Sequence, residues 1–257
     1  MTIRTRRTTA LVALGGTVLL VTALSGCGSA DAEGAPAEHK SFALSGNNLT
    51  IDASNSTLEL VPADVDRIEV TRHVDGWVFL GSGPDPVWRL EGDKMTLRVK
   101  CSAMISNCAA RHQVKVPRGV ALSVEGDNGE VTAAGFTTRL EISAANGGID
   151  VRDASGPLEL RSDNGSVSAE RVSGGSVVAQ ADNGSIQLGF AAVPDLVDTV
   201  SGNGRIDIDL PGGTDTYAVS ARADNGDVSV KVPRSDSSEH VVRARSDNGE
   251  VTVRSAN

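Results

Sequence analysis

The chain has 257 residues and a formal net charge of −9, from 24 basic and 33 acidic residues, and only 3% of its residues are aromatic. An acidic chain without basic, aromatic-rich patches argues against nucleic acid and anionic lipid headgroups as partners. The length is that of one sizeable domain, because all-β chains of this size often stay single.

The first 26 residues predict a secretory signal peptide. Three arginines precede an apolar stretch at 10–24, which is too short and too rich in Gly and Thr for a membrane span. The stretch ends in Leu24-Ser25-Gly26-Cys27, which resembles the lipobox of bacterial lipoproteins. This resemblance implies that Cys27 is lipidated, with palmitate among its acyl chains. The alternative is an ordinary signal peptide with an incidental cysteine.

Residues 27–40 predict a flexible tether, because small, acidic and Pro residues dominate and no periodicity is present. A β-strand-repeat domain is expected to follow at 41–257. Together with the lipid on Cys27, this organisation predicts a protein anchored to the outer face of the bacterial cell membrane.

Asn-Gly recurs through the second half of the chain, at intervals of roughly 18 to 23 residues that are typical of stacked repeats. Apolar residues lie mainly six and four positions before each Asn and three and five after it. Polar residues separate them, which predicts two short strands with one buried face each. The same frame identifies a further copy in which Ser56 replaces Gly. The repeated asparagines are Asn55, Asn128, Asn146, Asn164, Asn183, Asn203, Asn225 and Asn248.

Two all-β folds fit this pattern. Asn-Gly between alternating strands is a strong hairpin signal and would give an antiparallel β-meander or sandwich. Alternatively, each unit is one coil of a parallel β-helix, or solenoid. The position two before each Asn is always small, as a tight interior corner requires, and all length variation falls in the other connection. Both features favour the solenoid, with the asparagines as an internal hydrogen-bonded ladder and the glycines supplying left-handed backbone.

Residues 61–120 keep alternating strands but lose the repeat. Between the strands lie a loop at 81–86 and both tryptophans, Trp77 and Trp88. We expect this block either to elaborate the solenoid or to plug its core with large side chains.

The block also contains Cys101 and Cys108. With Cys27 lipidated, these are the two remaining cysteines of the chain. An even number of cysteines outside the cell predicts one disulfide, which here closes a small loop. The alternative is a metal site that combines both cysteines with His112 and His73. The spacing of these residues matches no common zinc pattern, so the disulfide is favoured.

The motif Val-Lys-Val-Pro at 114–117, followed by Asp-Asn-Gly-Glu-Val at 127–131, resembles the bacterial putative-adhesin family of β-strand-repeat proteins, a domain of unknown function. The resemblance covers about residues 41–257 and depends on the tandem order of the units. It implies a β-helix-like protein of the cell envelope. It provides no catalytic residues that could be transferred to this chain.

Catalytic and metal-binding patterns are weak in this sequence. The four histidines are scattered, and no Ser-His-Asp order, zinc-protease motif or phosphate-binding loop is present. An aspartate precedes the Asn in most copies and is expected to project outward. However, Ala145 and Gly202 interrupt this row and arginines accompany it, which disfavours a metal site.

We therefore predict a non-enzymatic envelope lipoprotein without a cofactor, which displays a β-solenoid surface as an adhesin-like protein, scaffold or sensor. Its expected partners are the membrane, through the N-terminal lipid, and an envelope glycan or another envelope protein. The alternative is a β-helix that binds or cleaves polysaccharide, although its exposed strand positions lack an aromatic platform for sugars.

Overall fold

A computed structural model describes residues 32–256, apart from the side chains at 33, 79 and 103–106. The predicted signal peptide and Cys27 lie outside this range. A short 3-10 helix at Ala32–Gly34 precedes the strands, and no helix in the described range is long and apolar enough to cross a membrane. The strands are β1 (Glu38–Phe42), β2 (Asn48–Ser54), β3 (Ser56–Ala63), β4 (Ile68–Glu91), β5 (Lys94–Pro117), β6 (Ala121–Asn128), β7 (Val131–Ala134), β8 (Leu140–Asn146), β9 (Ile149–Arg152), β10 (Leu158–Asn164), β11 (Val167–Val172), β12 (Ser176–Asn183), β13 (Ile186–Phe190), β14 (Leu196–Asn203), β15 (Ile206–Leu210), β16 (Ala218–Asn225), β17 (Val228–Lys231), β18 (Val241–Asn248) and β19 (Val251–Ser255).

The repeats form a parallel β-solenoid, which confirms the favoured fold. Strand β8 pairs in parallel with β6 on one side and β10 on the other, so that Leu140 lies between Leu122 and Leu158. The strands before each Asn form a first sheet, and the strands after it form a second sheet. The antiparallel meander is therefore wrong for the repeats, because equivalent residues of successive coils pair with each other instead of across a hairpin.

The core lies between the two sheets and consists almost entirely of aliphatic side chains. Alternation along each strand sends every second side chain inward. The third position after each Asn shows the result: its residues are at most 2% exposed in seven coils. These residues are Leu58, Val131, Ile149, Val167, Ile186, Ile206 and Val251.

The asparagine ladder exists, but it runs along the outside of the corner. In seven of the eight asparagines, the side-chain Nδ2 donates to the Oδ1 of the adjacent rung at 3.0–3.2 Å. The Nδ2 of Asn55 donates to the Val99 carbonyl oxygen at 3.4 Å, and all eight asparagines are exposed. The prediction of an internal ladder is therefore wrong. The small residue two positions earlier fills the inside of the corner, as Ser162 does by donating its Oγ to the Gly147 carbonyl at 3.0 Å.

The glycine after each Asn is required by the close stacking of coils. A Cβ on Gly147 would lie 2.0 Å from the Gly129 carbonyl oxygen, and the same clash at 2.1 Å recurs at Gly165, Gly184 and Gly204. None of these four adopts the left-handed region, so the expectation of left-handed backbone is wrong for the central coils. It holds only for three outlying copies, Gly129, Gly226 and Gly249.

The block at 61–120 caps one end of the stack. Strand β5 continues both sheets, since its first part pairs with β2 and its last part with β3. Strand β4 lies antiparallel along β5, and β1 lies antiparallel along the start of β4. Residues 81–86, expected as a loop, are part of β4, and β1 includes the last three residues of the predicted tether. The block therefore ends the parallel stack with antiparallel strands.

The middle of β5 projects beyond the corner. Eleven residues separate Arg98 from Ala110, whereas their pairing partners Ser54 and Ser56 are separated only by Asn55. The projecting part is closed by a disulfide between Cys101 and Cys108, as expected.

The last two coils are exchanged relative to chain order. Strand β18 lies between β14 and β16, and β19 lies between β15 and β17, so the coil at 218–231 ends the stack. Residues 211–217 lead the chain from β15 past one coil position to the end of the stack, where β16 and β17 lie. Residues 232–240 then lead it back to the position that was passed, which β18 and β19 fill. These connections have seven and nine residues, whereas those between the preceding coils have three to five. The two longest repeat intervals, Asn203 to Asn225 and Asn225 to Asn248, therefore reflect this exchange.

Candidate functional site

The four residues of the alternative metal site are not brought together. Cys101 and Cys108 are joined to each other, and His112 lies in the core. His73 pairs with Arg111 on the neighbouring strand, and its Nδ1 lies 2.8 Å from the Ala35 carbonyl oxygen. Among the described residues, no cluster of three or more His, Cys, Asp or Glu side chains is arranged to hold a metal ion.

One tryptophan closes the core at the cap. Trp88 is partly buried and packs against the core, and the Arg72 guanidinium lies 3.9 Å from the centre of its ring. Arg72 is 6% exposed and forms an ion pair with Glu38. Trp77, by contrast, is 47% exposed on β4. Of the two tryptophans, only Trp88 therefore plugs the core.

A buried histidine lies beside this plug. His112 is fully buried, and its Nδ1 lies 2.6 Å from the Ser56 Oγ. Burial, together with the smaller effect of the positive charge of Arg72, lowers the pKa of the imidazole from 6.5 to about 4. With no path to solvent, this Ser-His pair has the geometry of a structural contact and cannot reach a substrate.

His112 makes the stability of the fold pH-dependent. The unfolded chain takes up a proton below about pH 6.5, whereas the folded chain resists protonation down to about pH 4. We expect the free energy of unfolding to fall by about 2 kcal/mol between pH 7.5 and 5 from this residue alone. Urea unfolding at both pH values should show a smaller loss in His112→Leu, while His39→Gln, at an exposed position, should behave as the wild type. Equal losses in His112→Leu and the wild type would contradict the assignment.

A surface depression lies on the outer face of the first sheet. It has a volume of about 330 Å³ and crosses strands β2, β6, β8 and β10. Its floor is β8, whose outward side chains are Ser143 and Ala145. These residues occupy the positions three and one before the Asn, where neighbouring coils carry long or charged side chains. The interruption of the aspartate row at Ala145 therefore creates a groove.

One wall of the groove is a tight ion-pair cluster on β2 and β5. The Asp52 carboxylate accepts two hydrogen bonds of 2.7 Å from the Arg98 Nη2, and Lys94 Nζ lies 3.1 Å away. Burial raises the pKa of the Asp52 carboxyl, but the hydrogen bonds and charges of Arg98 and Lys94 outweigh it, so the pKa lies below its ordinary value. Asp52 therefore remains a fixed anion that orients two cations.

The opposite wall is formed by Arg161 and Asp163 on β10. Arg161 Nη2 donates to the Glu159 Oε1 at 2.8 Å and stays half exposed. Within the range 32–256, the Asp163 carboxylate has no ion-pair partner. Asp127 also faces the groove, where it accepts a 2.9 Å hydrogen bond from the Ser54 Oγ. This part of the groove carries four carboxylates and two guanidinium groups.

A second depression of about 320 Å³ continues the groove towards the cap. The two depressions share Asp52 and Arg98. The second is lined by four basic side chains, those of Arg89, Lys94, Arg98 and Lys100, against the acidic Glu91 and Asp52. Together they cross six strands, or about 24 Å at the usual strand spacing. We call this the bipolar groove, because it is basic at the cap and acidic over the repeats.

The bipolar groove can bind a ligand that carries both charges and many hydroxyl groups. Its carboxylates accept hydrogen bonds from hydroxyl or ammonium groups, and its guanidinium groups donate to carboxylate or phosphate. Because the groove is built on paired strands, binding orders little of the backbone. Sequence reasoning missed this site, since Arg98 belongs to a strand without the repeat, whose register the sequence does not reveal.

Comparison with known proteins gives similarity to solved structures. Neither protein-family models nor curated proteins give a match. A solved structure described as a putative adhesin from Bacteroides fragilis is similar with a TM-score of 0.51 and 14% identity, over 86% of this chain and 97% of that chain. At this identity, the similarity shows a shared fold.

Two further solved structures cover the same 86% of this chain. One is described as a putative cell adhesion protein from Clostridium sporogenes, with 9% identity, 99% of that chain covered and a TM-score of 0.39. The other is described as a putative adhesin from Parabacteroides distasonis, with 12% identity, 98% coverage and a TM-score of 0.47.

Proposed function

We propose that this chain is a non-catalytic lipoprotein of the bacterial envelope that binds a charged, hydroxyl-rich glycan in the bipolar groove. The observation that supports this proposal most directly is the groove itself, in which fixed ion pairs surround a floor of small side chains. A solved structure of similar fold is described as a putative adhesin, which is consistent with a binding role.

The charge distribution favours a polymer with both acidic and cationic groups. The ligand's acidic groups would lie over Arg89, Lys94 and Lys100, and its cationic or hydroxyl groups over Glu125 and Asp163. A polyanion would be repelled by the acidic part of the groove, and a polycation by the basic part. Binding is therefore expected to weaken as the salt concentration rises, because most of these charges are solvent-exposed.

Catalysis is not part of this proposal. A hydrolase or lyase needs an acid and a base that converge on one bond, with pKa values set apart for the two roles. In the groove, the pKa of the Asp52 carboxyl is lowered and its oxygens are engaged by Arg98 and Lys94. Asp52 is therefore suited to positioning cations.

Filling the groove should weaken binding without unfolding the protein. We expect Ser143→Arg to weaken binding to a panel of neutral, acidic and zwitterionic envelope glycans by more than about tenfold, or 1.4 kcal/mol. Val200→Arg places the same side chain at the equivalent position of β14, outside the groove, and should bind as the wild type. The measurement is glycan-array binding followed by calorimetry on the strongest ligand.

Two results would contradict the proposal. Equal binding by Ser143→Arg and the wild type would show that the groove is not the site. Turnover of any glycan in the panel that is lost in Asp163→Asn would show an enzyme instead of a binding protein.

A further inference from the structure

The two ends of the stack are different. At one end, the antiparallel strands β4 and β1 cover the parallel coils. At the other end lies the coil at 218–231, where β16 pairs only with β18 and β17 pairs only with β19 among the described residues. The outer edges of β16 and β17 therefore expose unpaired backbone groups, a feature that proteins usually cover.

The core is open at this end. Val228 is 45% exposed, whereas its equivalents in seven other coils are at most 2% exposed. Val219, Ala221 and Val230 also point inward but are only partly buried, because no further coil covers them. An exposed strip of unpaired backbone and aliphatic side chains is typical of a site that binds a partner.

The exchange of the last two coils keeps this end free. Because β18 and β19 lie inside the stack, the C-terminal residue of the described range, Ala256, donates its N–H to the Leu210 carbonyl two coils away from the end. The ladder also stops here: Asn225 donates to Asn248, and no described group donates to the Asn225 Oδ1. The open end therefore lacks a covering segment from the described chain.

We propose that the open end binds a second copy of this chain, head to head, through antiparallel pairing of the two β16 strands. A head-to-tail contact would place the open coil against the antiparallel strands β4 and β1, which do not continue the parallel stack. A contact between two open ends uses the same surface on both copies, so it closes after two copies and cannot form filaments.

The charges on β16 fit this self-pairing. Arg222 is 72% exposed at its side chain and lies 3.1 Å from Asp224 within the strand. In the antiparallel register that centres on Ala223, Arg222 of each copy lies opposite Asp224 of the other. The same register places Ala223 of both copies on the two-fold axis. Directly opposed pairs of opposite charge stabilise antiparallel strands by about 0.2–1 kcal/mol each.

The dimer also adds to the proposed envelope role, and this point rests on that proposal. The tether joins the stack at its capped end, so the open end points away from the lipid anchor. Each stack is about 45 Å long at the usual strand spacing. A head-to-head pair would place its two lipid anchors at opposite ends. This arrangement is the one needed for a contact between two membranes that face each other.

Sedimentation velocity of the secreted chain without its signal peptide and lipid tests the pairing separately from glycan binding. We expect a monomer–dimer equilibrium, and we expect Val228→Asp to weaken the dimer more than tenfold. Val200→Asp, at a 39% exposed position on the outer face, should dimerise as the wild type. A monomer at all concentrations, species larger than dimers, or an unaffected Val228→Asp dimer would overturn the proposal.

Two further sets of variants test the register. Arg222→Asp should weaken the dimer, and the double variant Arg222→Asp with Asp224→Arg should restore it, because the charges are then exchanged on both copies. Oxidation of Ala223→Cys should give a covalent dimer. Ala181→Cys, at the equivalent position of a central coil and 1% exposed, should stay monomeric under the same conditions. No rescue together with no covalent dimer would overturn the β16 pairing.

Discussion

Replacing Gly147 with alanine is expected to destabilise the fold by about 3 kcal/mol, at the upper end of the cost of overpacking. The added Cβ would lie 2.0 Å from the Gly129 carbonyl oxygen and 2.7 Å from its carbonyl carbon. Both atoms belong to the backbone of a paired coil, so neither can move away as a flexible side chain would. The coils must separate locally, and the loss should appear in urea unfolding.

The next residue provides a matched control. A Cβ on Gly148 would lie 3.5 Å from the Ser166 carbonyl oxygen, which is an ordinary contact. We expect Gly148→Ala to change the free energy of unfolding by less than about 1 kcal/mol, as compatible Gly→Ala changes do. Similar losses of stability for Gly147→Ala and Gly148→Ala would show that backbone conformation, and not the spacing between coils, is the reason for glycine at position 147.

Truncating Leu160 to alanine is expected to cost about 3 kcal/mol, because the side chain is fully buried and leaves a cavity. The size of the cost depends on the facing sheet. Leu160 shares its coil with Ala169, whereas the next coil has Ala179 and Leu188 in the same two positions. Between these two coils, the large and the small side chain thus exchange sheets.

This exchange predicts a compensating double variant. Ala169→Leu alone should cost 1–3 kcal/mol through overpacking, but Leu160→Ala with Ala169→Leu should lose less than the sum of the two single variants. The double variant reproduces the arrangement of the next coil. A double-mutant cycle by chemical unfolding measures the coupling, and strict additivity would show that the two positions do not share a core space.

The repeat could be interpreted correctly from the sequence because its pattern depends on constraints within one coil, namely which strand face is buried and how tight the corner is. Period-two alternation shows which strand face is buried, and a small residue at a fixed offset marks a tight corner. Even the unit without glycine, at Asn55, follows these constraints. Ser56 is tolerated there because β5 leaves the corner beside it, which makes room for a side chain that contacts His112.

The position of the asparagines and the role of the glycines could not be deduced in this way. Both an internal and an external ladder predict one Asn per coil, and the choice depends on how much space the corner leaves inside. The small residue before the corner fills that space. Similarly, left-handed backbone and close stacking both require glycine, and only the distance between neighbouring coils separates them.

The sequence by itself therefore determined the unit: two strands, a corner, an apolar inner face and a disulfide in the irregular block. The tertiary structure alone decided the order in which units stack, the antiparallel cap, the groove and the open end. The reason is physical. Local patterns encode which face of a strand avoids water, but every coil presents nearly the same edge, so the sequence of one coil does not specify its neighbour. That choice depends on the length of the connections and on the contacts of the assembled stack.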